Sequence, residues 1–122
     1  MMLEIRDLEY RYREAPVLDG ASLDIREGEI IGILGPNGCG KTTLLKNLNR
    51  NLSPMGGCIL LDGKDVSGMT KKEIARTVAA VPQGNEIRFS FTVEDIVTMG
   101  RMPFQGRFEG SSTKDLELAR EA

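Results

Sequence analysis

The chain has 122 residues, of which 16 are basic and 18 are acidic, so its formal net charge is −2. This length allows one domain at most, and a hydrophobic content of 40% is typical of a soluble globular chain. The balanced charge argues against a nucleic-acid partner, and the lack of a long apolar stretch predicts neither a membrane span nor a secretory signal.

The sequence contains no histidine. An imidazole base, a Ser-His-Asp triad and a histidine-bound metal are therefore excluded within these residues. The two cysteines, Cys39 and Cys58, lack CxxC spacing. We interpret them as reduced thiols of a cytoplasmic protein, and not as a disulfide or a zinc site.

Two segments at the start of the chain alternate apolar and polar residues, which predicts two half-buried strands. The first covers residues 3–12, with one slip of the pattern near Asp7, and the second runs from Leu18 to Ile25. Turn-forming residues lie between them, so we expect the strands to be antiparallel.

Residues 30–34 are apolar on both faces, which predicts a central strand covered on both sides, and residues 78–81 predict a second buried strand. A helix is expected between them. Its apolar face carries Leu44, Leu45 and Leu48, and its polar face carries Asn47, Asn49 and Arg50.

Three more helices are predicted, two from their first residues and one from its composition. Thr70 and Glu73 have capping-box spacing at the start of a helix that reaches Arg76. Residues 92–100 begin with acidic side chains in the first turn, which suits the helix dipole, and residues 112–122 have a helical composition.

A glycine-rich motif follows the predicted strand 30–34, with the sequence Gly35-Pro36-Asn37-Gly38-Cys39-Gly40-Lys41-Thr42. This is the P-loop pattern, placed directly after a strand and before a helix. The glycines let the backbone curl so that its N–H groups face phosphate oxygens, and the helix adds the positive end of its dipole. We therefore predict that Lys41 reaches the β- and γ-phosphates and that the Thr42 hydroxyl binds Mg²⁺. A strand-to-helix turn without a ligand is the alternative.

The segment from Gly35 to Leu45 resembles the Walker A segment of ATP-binding-cassette (ABC) ATPases more closely than that of GTPases or nucleotide kinases. Tyr12 lies where this family has its A-loop aromatic residue, and Val81-Pro82-Gln83 is similar to its Q-loop. Residues 92–103 resemble the subgroup that powers iron-siderophore, haem and cobalamin importers. The resemblance covers essentially the whole chain, but only about the first half of the family's domain.

The resemblance implies that Tyr12 stacks on adenine, whereas an ordinary strand tyrosine, as we take Tyr10 to be, is the alternative. It also implies that Gln83 approaches Mg²⁺ and the attacking water while its loop senses a membrane permease. The implied nucleotide-binding residues, besides Tyr12, are Gly35, Pro36, Asn37, Gly38, Cys39, Gly40, Lys41, Thr42 and Thr43. The implied cofactors are ATP and Mg²⁺, and the implied partners are the permease and a second ATP-binding subunit in a head-to-tail pair.

The sequence lacks the family's Walker B strand, its Leu-Ser-Gly-Gly-Gln signature and its switch histidine. Residues 58–62 resemble a Walker B strand, because four apolar residues are followed by an aspartate, but the next residue is Gly63 where the family has a glutamate. Asp62-Gly63 is the composition of a hairpin turn, and we interpret it as one. By itself, the chain is therefore expected to bind ATP or ADP weakly and to show no turnover.

All four phenylalanines follow Gln83, and Met99 and Met102 lie among them. Two interpretations stay open. One is the core of a small helical subdomain, and the other is a groove that receives a short cytoplasmic helix of the permease.

The predicted fold class is α/β: a P-loop NTPase core sheet with an N-terminal antiparallel β subdomain and the start of a helical subdomain, as in an incomplete ABC nucleotide-binding domain. The expected parts are an antiparallel β region at 1–28, a P-loop core ending in the Q-loop at 29–83, and the helical start at 84–122. The central strand is expected to lack neighbours on one flank.

The predicted function is that of an importer's ATP-binding subunit, peripheral on the cytoplasmic face of the cell membrane, which drives uptake of an iron chelate or related cofactor. A regulatory nucleotide-binding module that does not hydrolyse ATP is one alternative. The ATPase head of a soluble machine with no transport role is the other.

Overall fold

The computed structural model describes residues 2–84 and 89–122, which form two units, Met1–Ile74 and Ala75–Ala122. The structure is mixed α/β, as the sequence predicts: an antiparallel sheet and helices. The finer division into 1–28, 29–83 and 84–122 stays a prediction.

The sheet of the first unit contains strands β1 (Leu3–Tyr12), β2 (Ala15–Ile25), β3 (Gly56–Leu61) and β4 (Lys64–Asp65). Their order is β2-β1-β3-β4, and every described neighbour is antiparallel. The predicted antiparallel pair at the start of the chain is therefore confirmed. β1 lies inside the sheet and shares hydrogen bonds with two strands.

The predicted slip near Asp7 is a bulge in β1. Asp7 has a φ of 45°, and the register of β1 shifts between Arg6 and Glu9 against β3. The extra residue keeps Ile5 and Leu8 on the same buried face although they are three positions apart. Gly57 of β3 approaches this bulge closely, because a Cβ atom there would lie 2.2 Å from the Arg6 carbonyl oxygen.

Apolar burial is concentrated in the first unit. The buried apolar side chains are those of Ile5, Leu8, Leu18, Ile59, Leu61, Val66 and Ile74. The sheet supplies five of them, which explains why the described core follows the alternating pattern of the strands.

Asp62 and Gly63 form the two-residue turn between β3 and β4, so the turn interpretation is confirmed. Their φ angles are 50° and 76°, and Leu61 pairs with Lys64 across the turn. Positive φ at both central residues is the requirement of a type I′ hairpin. The Asp62 carboxylate accepts a hydrogen bond from the backbone N–H of Met2 at 2.7 Å, a structural role.

The predicted buried strands at 30–34 and 78–81 are wrong for this structure. Neither segment is part of a sheet among the described residues, and Ile30, Leu34 and Val81 are 98%, 96% and 99% exposed. A strand needs a neighbour to receive its backbone hydrogen bonds, and the described strands pair only among themselves. The expected central strand with one unpaired flank is therefore not formed by the described residues.

Helix α1 (Lys41–Leu48) follows the glycine-rich motif, as predicted, but the expected orientation of its faces is wrong. Asn47 is fully buried, whereas Leu45 is 53% exposed. The helix contacts β2, and Asn47 donates a hydrogen bond to the Thr43 carbonyl oxygen at 2.8 Å. Thus the face that packs in the first unit is the one that carries Thr43 and Asn47.

Helix α2 (Lys71–Ala75) begins with the predicted capping box. The backbone N–H of Thr70 donates to the Glu73 carboxylate at 2.7 Å, and the Glu73 N–H donates to the Thr70 hydroxyl at 3.2 Å. The predicted helix start is therefore confirmed.

Helices α3 (Val93–Met99) and α4 (Thr113–Glu121) belong to the second unit and contact each other. Both lie within the predicted ranges, and both begin with a capping box, formed by Thr92 with Asp95 and by Ser112 with Asp115. Arg120 of α4 also pairs with Glu94 of α3 at 3.0 Å.

Asp115 is the buried charged residue among the described residues of the second unit, with 6% of its surface exposed. It accepts hydrogen bonds from the Ser112 backbone N–H at 3.0 Å and from the Arg101 guanidinium at 2.9 Å. These donors lower the pKa of Asp115 from 3.8 to about 2, the backbone N–H most strongly.

The four phenylalanines are all exposed, from 47% for Phe91 and Phe104 to 95% for Phe108. Phe104 contacts the Arg101 guanidinium, whose carbon lies 4.2 Å from the ring centre. The core interpretation therefore does not describe these residues in this structure, and the docking interpretation stays a prediction.

Candidate phosphate-binding site

The glycine-rich motif is curled, as the P-loop prediction requires. Gly38 and Gly40 have φ angles of 85° and 104°, and the Cys39 N–H donates to the Pro36 carbonyl oxygen at 3.3 Å. These left-handed angles are available to glycine at little cost. The chain thus turns sharply before Lys41 begins α1.

Gly40 is required for packing as well as for conformation. A Cβ atom at Gly40 would lie 3.0 Å from the Val17 carbonyl oxygen and 3.2 Å from the Leu18 side chain. The end of the loop therefore rests directly against β2, which fixes the start of α1 on the sheet.

The start of α1 offers backbone donors. Gly40 is the N-cap residue and provides no side-chain hydrogen bond to the first turn. The first N–H groups of any helix lack acceptors within the helix, and the positive end of its dipole lies there. Both properties favour an anion at this position.

The Lys41 ammonium folds back over the loop. It donates hydrogen bonds to the carbonyl oxygens of Gly35 and Pro36, the latter at 2.9 Å, and lies 3.7 Å from the Cys39 sulfur. Its charge is therefore held beside the curled backbone. Thr42 is exposed, whereas Thr43 is buried, with its carbonyl oxygen bound to Asn47.

The loop and Tyr12 border one cavity of about 340 Å³. Seven of the predicted nucleotide-binding residues line it, together with Val17, which the sequence reasoning missed. The lining consists of Tyr12, Val17, Asn37, Gly38, Gly40, Lys41, Thr42 and Thr43. Val17 is an ordinary strand residue in the pattern, so only its contact with Gly40 reveals it.

Three other predicted residues, Gly35, Pro36 and Cys39, do not line the cavity but belong to the turn that the Cys39–Pro36 hydrogen bond closes. A Cβ atom at Gly35 would lie 2.6 Å from the Cys39 sulfur, so glycine keeps this turn tight. These residues therefore shape the loop. Gly35 and Pro36 also position Lys41, because their carbonyl oxygens accept hydrogen bonds from its ammonium.

Gln83 belongs to the second unit, where it lies in an exposed turn before Gly84, which has a φ of 73°. Its role toward Mg²⁺ stays a prediction. Within residues 2–84 and 89–122, no three Cys, Asp or Glu side chains are grouped so that they can hold a metal ion.

Residues 35–48 bring together a curled glycine-rich backbone, a lysine folded over it and the start of a helix. Comparison with known proteins identifies the family. Residues 18–121 match the family described as ABC transporter, and the chain belongs to this family.

Two curated relatives and one solved structure illustrate the similarity. The petrobactin import ATP-binding protein FpuD of Bacillus anthracis is 42% identical over 98% of this chain and 44% of its own length. The hemin import ATP-binding protein HmuV of Pseudomonas entomophila is 41% identical over 84% of this chain and 40% of its own. A bacterial Atm1-family ABC exporter solved with ATP bound has a TM-score of 0.74 and 28% identity, over 93% of this chain and 19% of the exporter.

The chain thus spans less than half the length of the curated relatives that it matches. None of the helices in the described part of the chain has the length and apolar content that crossing a membrane demands.

Proposed function

We propose that the chain is the nucleotide-binding part of an ABC importer's ATP-binding subunit. The observation that carries this proposal is the cavity that Tyr12, the curled loop and Lys41 line together. An aromatic ring beside a phosphate-binding backbone suits a ligand with a base at one end and phosphates at the other.

In this proposal, different residues bind different parts of the nucleotide. Tyr12 stacks on the adenine, and the backbone N–H groups from Asn37 to Thr43 bind the phosphate oxygens. The Lys41 ammonium exchanges its bonds to Gly35 and Pro36 for bonds to the β- and γ-phosphates. This exchange costs little, because charge-assisted hydrogen bonds to phosphate replace bonds to neutral carbonyl oxygens.

The residues also suit Mg²⁺ bound together with the nucleotide. Mg²⁺ in such sites takes few protein ligands and shares phosphate oxygens and water, so the absence of a carboxylate cluster in the described part of the chain does not conflict with it. The exposed Thr42 hydroxyl is one proposed ligand, and Gln83 is the other. The metal supplies charge neutralisation at the phosphates.

We propose that this chain binds ATP without hydrolysing it. Hydrolysis transfers the γ-phosphoryl group to water, with release of ADP and phosphate, and needs a group that orients the water. The sequence has no Walker B strand to provide one, because Asp62 lies in a hairpin turn and its carboxylate binds the Met2 N–H. Turnover therefore requires residues that this sequence does not supply.

Titration with Mg-ATP tests the binding site. We expect Lys41→Ala to weaken ATP binding by about tenfold or more, because it removes the ammonium from the loop. Lys46→Ala is the matched control, since Lys46 is exposed on the same helix but does not line the cavity. Equal ATP affinity in all three proteins would refute the proposed site.

A phosphate-release assay tests the proposal on turnover. The purified chain is expected to release phosphate no faster than Lys41→Ala under the same conditions. Steady release by the wild-type chain that Lys41→Ala abolishes would show that the chain is a complete ATPase.

We propose that the cargo is an iron chelate or a related cofactor, following the petrobactin and hemin importers named above. The importer's permease and a second ATP-binding subunit are the proposed partners, and the peripheral site on the cytoplasmic face of the membrane follows from them. Co-purification of the full-length protein with a permease is the test. A protein that never associates with a permease would be a different kind of ABC protein.

The exposed aromatic residues of the second unit are the proposed permease-docking surface. Exposed aromatic and methionine side chains are enriched at interfaces, and Phe91, Met99 and Met102 line a cavity of about 750 Å³ in this unit. Phe91→Asp and Phe104→Asp in the full-length protein are expected to spare ATP binding and to uncouple hydrolysis from transport. If both variants unfold, these residues form a core instead.

A further inference from the structure

Tyr10 and Tyr12 form an edge-to-face aromatic pair on β1. Their ring centroids are 5.1 Å apart, and the ring planes are inclined by 72°. The register of β1 against β2 shifts between Tyr10 and Arg11, and the ring contact itself places the two side chains on the same side of β1. Tyr12 lines the cavity at the phosphate-binding loop, whereas Tyr10 does not.

Tyr12 has few other neighbours that can hold its ring. On one side, β1 pairs with β2, where the residue opposite Tyr12 is the small Ala15. On the other side, the pairing of β1 with β3 ends at Glu9 and Gly56, before Tyr12 is reached. Tyr12 is 46% exposed, and Tyr10 provides the only ring contact described for it.

An edge-to-face contact leaves a surface for a ligand. Whichever of the two rings presents its edge, at least one face of Tyr12 is not covered by Tyr10. A side chain with two rotatable bonds at the exposed end of a hairpin otherwise samples several rotamers, and a base must then order it on binding. The contact with Tyr10 limits this freedom before the base arrives.

We infer that Tyr10 is a positioning residue that fixes the ring of Tyr12 for stacking on the nucleotide base. This inference rests on the proposed nucleotide site and adds to it a residue that does not touch the ligand. It predicts that Tyr10 affects binding of the base and not binding of the phosphates. Tyr10 lies opposite Leu18, which Gly40 of the loop approaches closely, so the affinity for a phosphate ligand without a base is measured separately.

The test compares the affinities of ATP and inorganic tripolyphosphate, which lacks the base. Tyr10→Ala is expected to lower the affinity for ATP by about two- to tenfold, the range of an aromatic pair, and to leave that for tripolyphosphate unchanged. Tyr10→Phe keeps the ring and is expected to restore ATP binding to within about twofold of the wild type.

Two further variants secure the result. Arg11→Ala is the matched control, because Arg11 lies between the tyrosines, is exposed and does not line the cavity. The ratio of ATP affinity to tripolyphosphate affinity is therefore expected to stay at the wild-type value. Tyr10→Leu removes the aromatic ring but keeps the apolar bulk, and it decides the question if circular dichroism shows that Tyr10→Ala is unfolded.

The outcomes separate this inference from the proposed function. A ratio that falls in Tyr12→Ala but not in Tyr10→Ala or Tyr10→Leu overturns the role of Tyr10 alone. A wild-type chain that binds ATP no more tightly than tripolyphosphate overturns the adenine site and the role of Tyr10 together. The inference is supported if the ratio of ATP affinity to tripolyphosphate affinity falls in both Tyr12→Ala and Tyr10→Ala and returns to the wild-type value in Tyr10→Phe.

Discussion

Strand β1 and the segment 30–34 both carry apolar residues, yet they have opposite environments. Ile5 of β1 pairs with Leu23 and Ile59 on its two sides and is 1% exposed. Ile30 is 98% exposed, and no described residue pairs with it. A strand buries its side chains only where neighbours take its backbone hydrogen bonds. The apolar pattern therefore identifies a segment that is able to form a buried strand, and the available neighbours decide whether it does.

The largest expected effect is a difference in stability between a substitution in the sheet and one in residues 30–34. Ile59→Ala leaves a cavity in the packed sheet and is expected to lower the free energy of unfolding by about 2–5 kcal/mol. Ile30→Ala removes an exposed side chain and is expected to change it by less than about 0.5 kcal/mol. Urea denaturation of both variants measures the difference.

Equal destabilisation by these two substitutions would break the comparison. It would mean that residues 30–34 are buried in solution, for example against a second copy of the chain. A concentration-dependent unfolding midpoint would then identify that association.

The sheet was predictable because its signals are local. The alternation in residues 3–12, the slip near Asp7 and the Asp62-Gly63 turn each fix a feature within a few residues, and each is found in the structure. Residues 30–34 and Asn47 were not predictable in the same way. Their burial depends on which distant segments lie against them, which no local pattern records.

A second pair of variants sharpens the account of the sheet. Gly57 and Gly63 have similar φ angles of 72° and 76°. A Cβ atom added at Gly57 would lie 2.2 Å from the Arg6 carbonyl oxygen, whereas one added at Gly63 would have no neighbour within 4 Å among the described residues. We expect Gly63→Ala to cost about 1–2 kcal/mol for its conformation alone. Gly57→Ala is expected to cost about 1–3 kcal/mol more because β1 and β3 must separate.

Thermal unfolding of the two glycine variants measures this difference. Equal losses of stability would show that the close approach of β3 to the bulge at Asp7 is absent in solution. A Gly63→Ala variant as stable as the wild type would contradict the assignment of the hairpin turn.

The smallest expected effect concerns the second unit, where Asp115 is held by donors and not by an apolar core. Its folded pKa, about 2, lies below the ordinary 3.8, so its contribution to stability is present above about pH 4 and is lost as the pH falls toward 2. Asp115→Asn is expected to lower helix stability at neutral pH. It is also expected to make helix stability depend less on pH between about pH 4 and pH 2. Glu117→Gln, an exposed neighbour on α4, is the control.

Helical circular dichroism as a function of pH measures this effect. If the wild type and Asp115→Asn lose their helical signal in parallel below pH 4, Asp115 does not carry the acid sensitivity.

Much of the candidate site was also readable from local sequence. The spacing of Gly35, Gly40 and Lys41 predicts a curled loop before a helix, and the structure has one. Val17 was missed because its part depends on the contact between Gly40 and β2. The contact between Tyr10 and Tyr12, on which the proposed role of Tyr10 rests, was missed for a similar reason, since a ring pair depends on rotamers that the alternating pattern does not specify.

The central claim is that the backbone amides at the start of α1 bind phosphate. The most direct measurement is the change in backbone amide chemical shifts of the ¹⁵N-labelled chain on addition of Mg-ATP. We expect the largest changes between Asn37 and Thr43, with small changes in β3 and β4. Changes that are spread over the sheet, or that leave the loop amides unmoved while ATP binds, would contradict it.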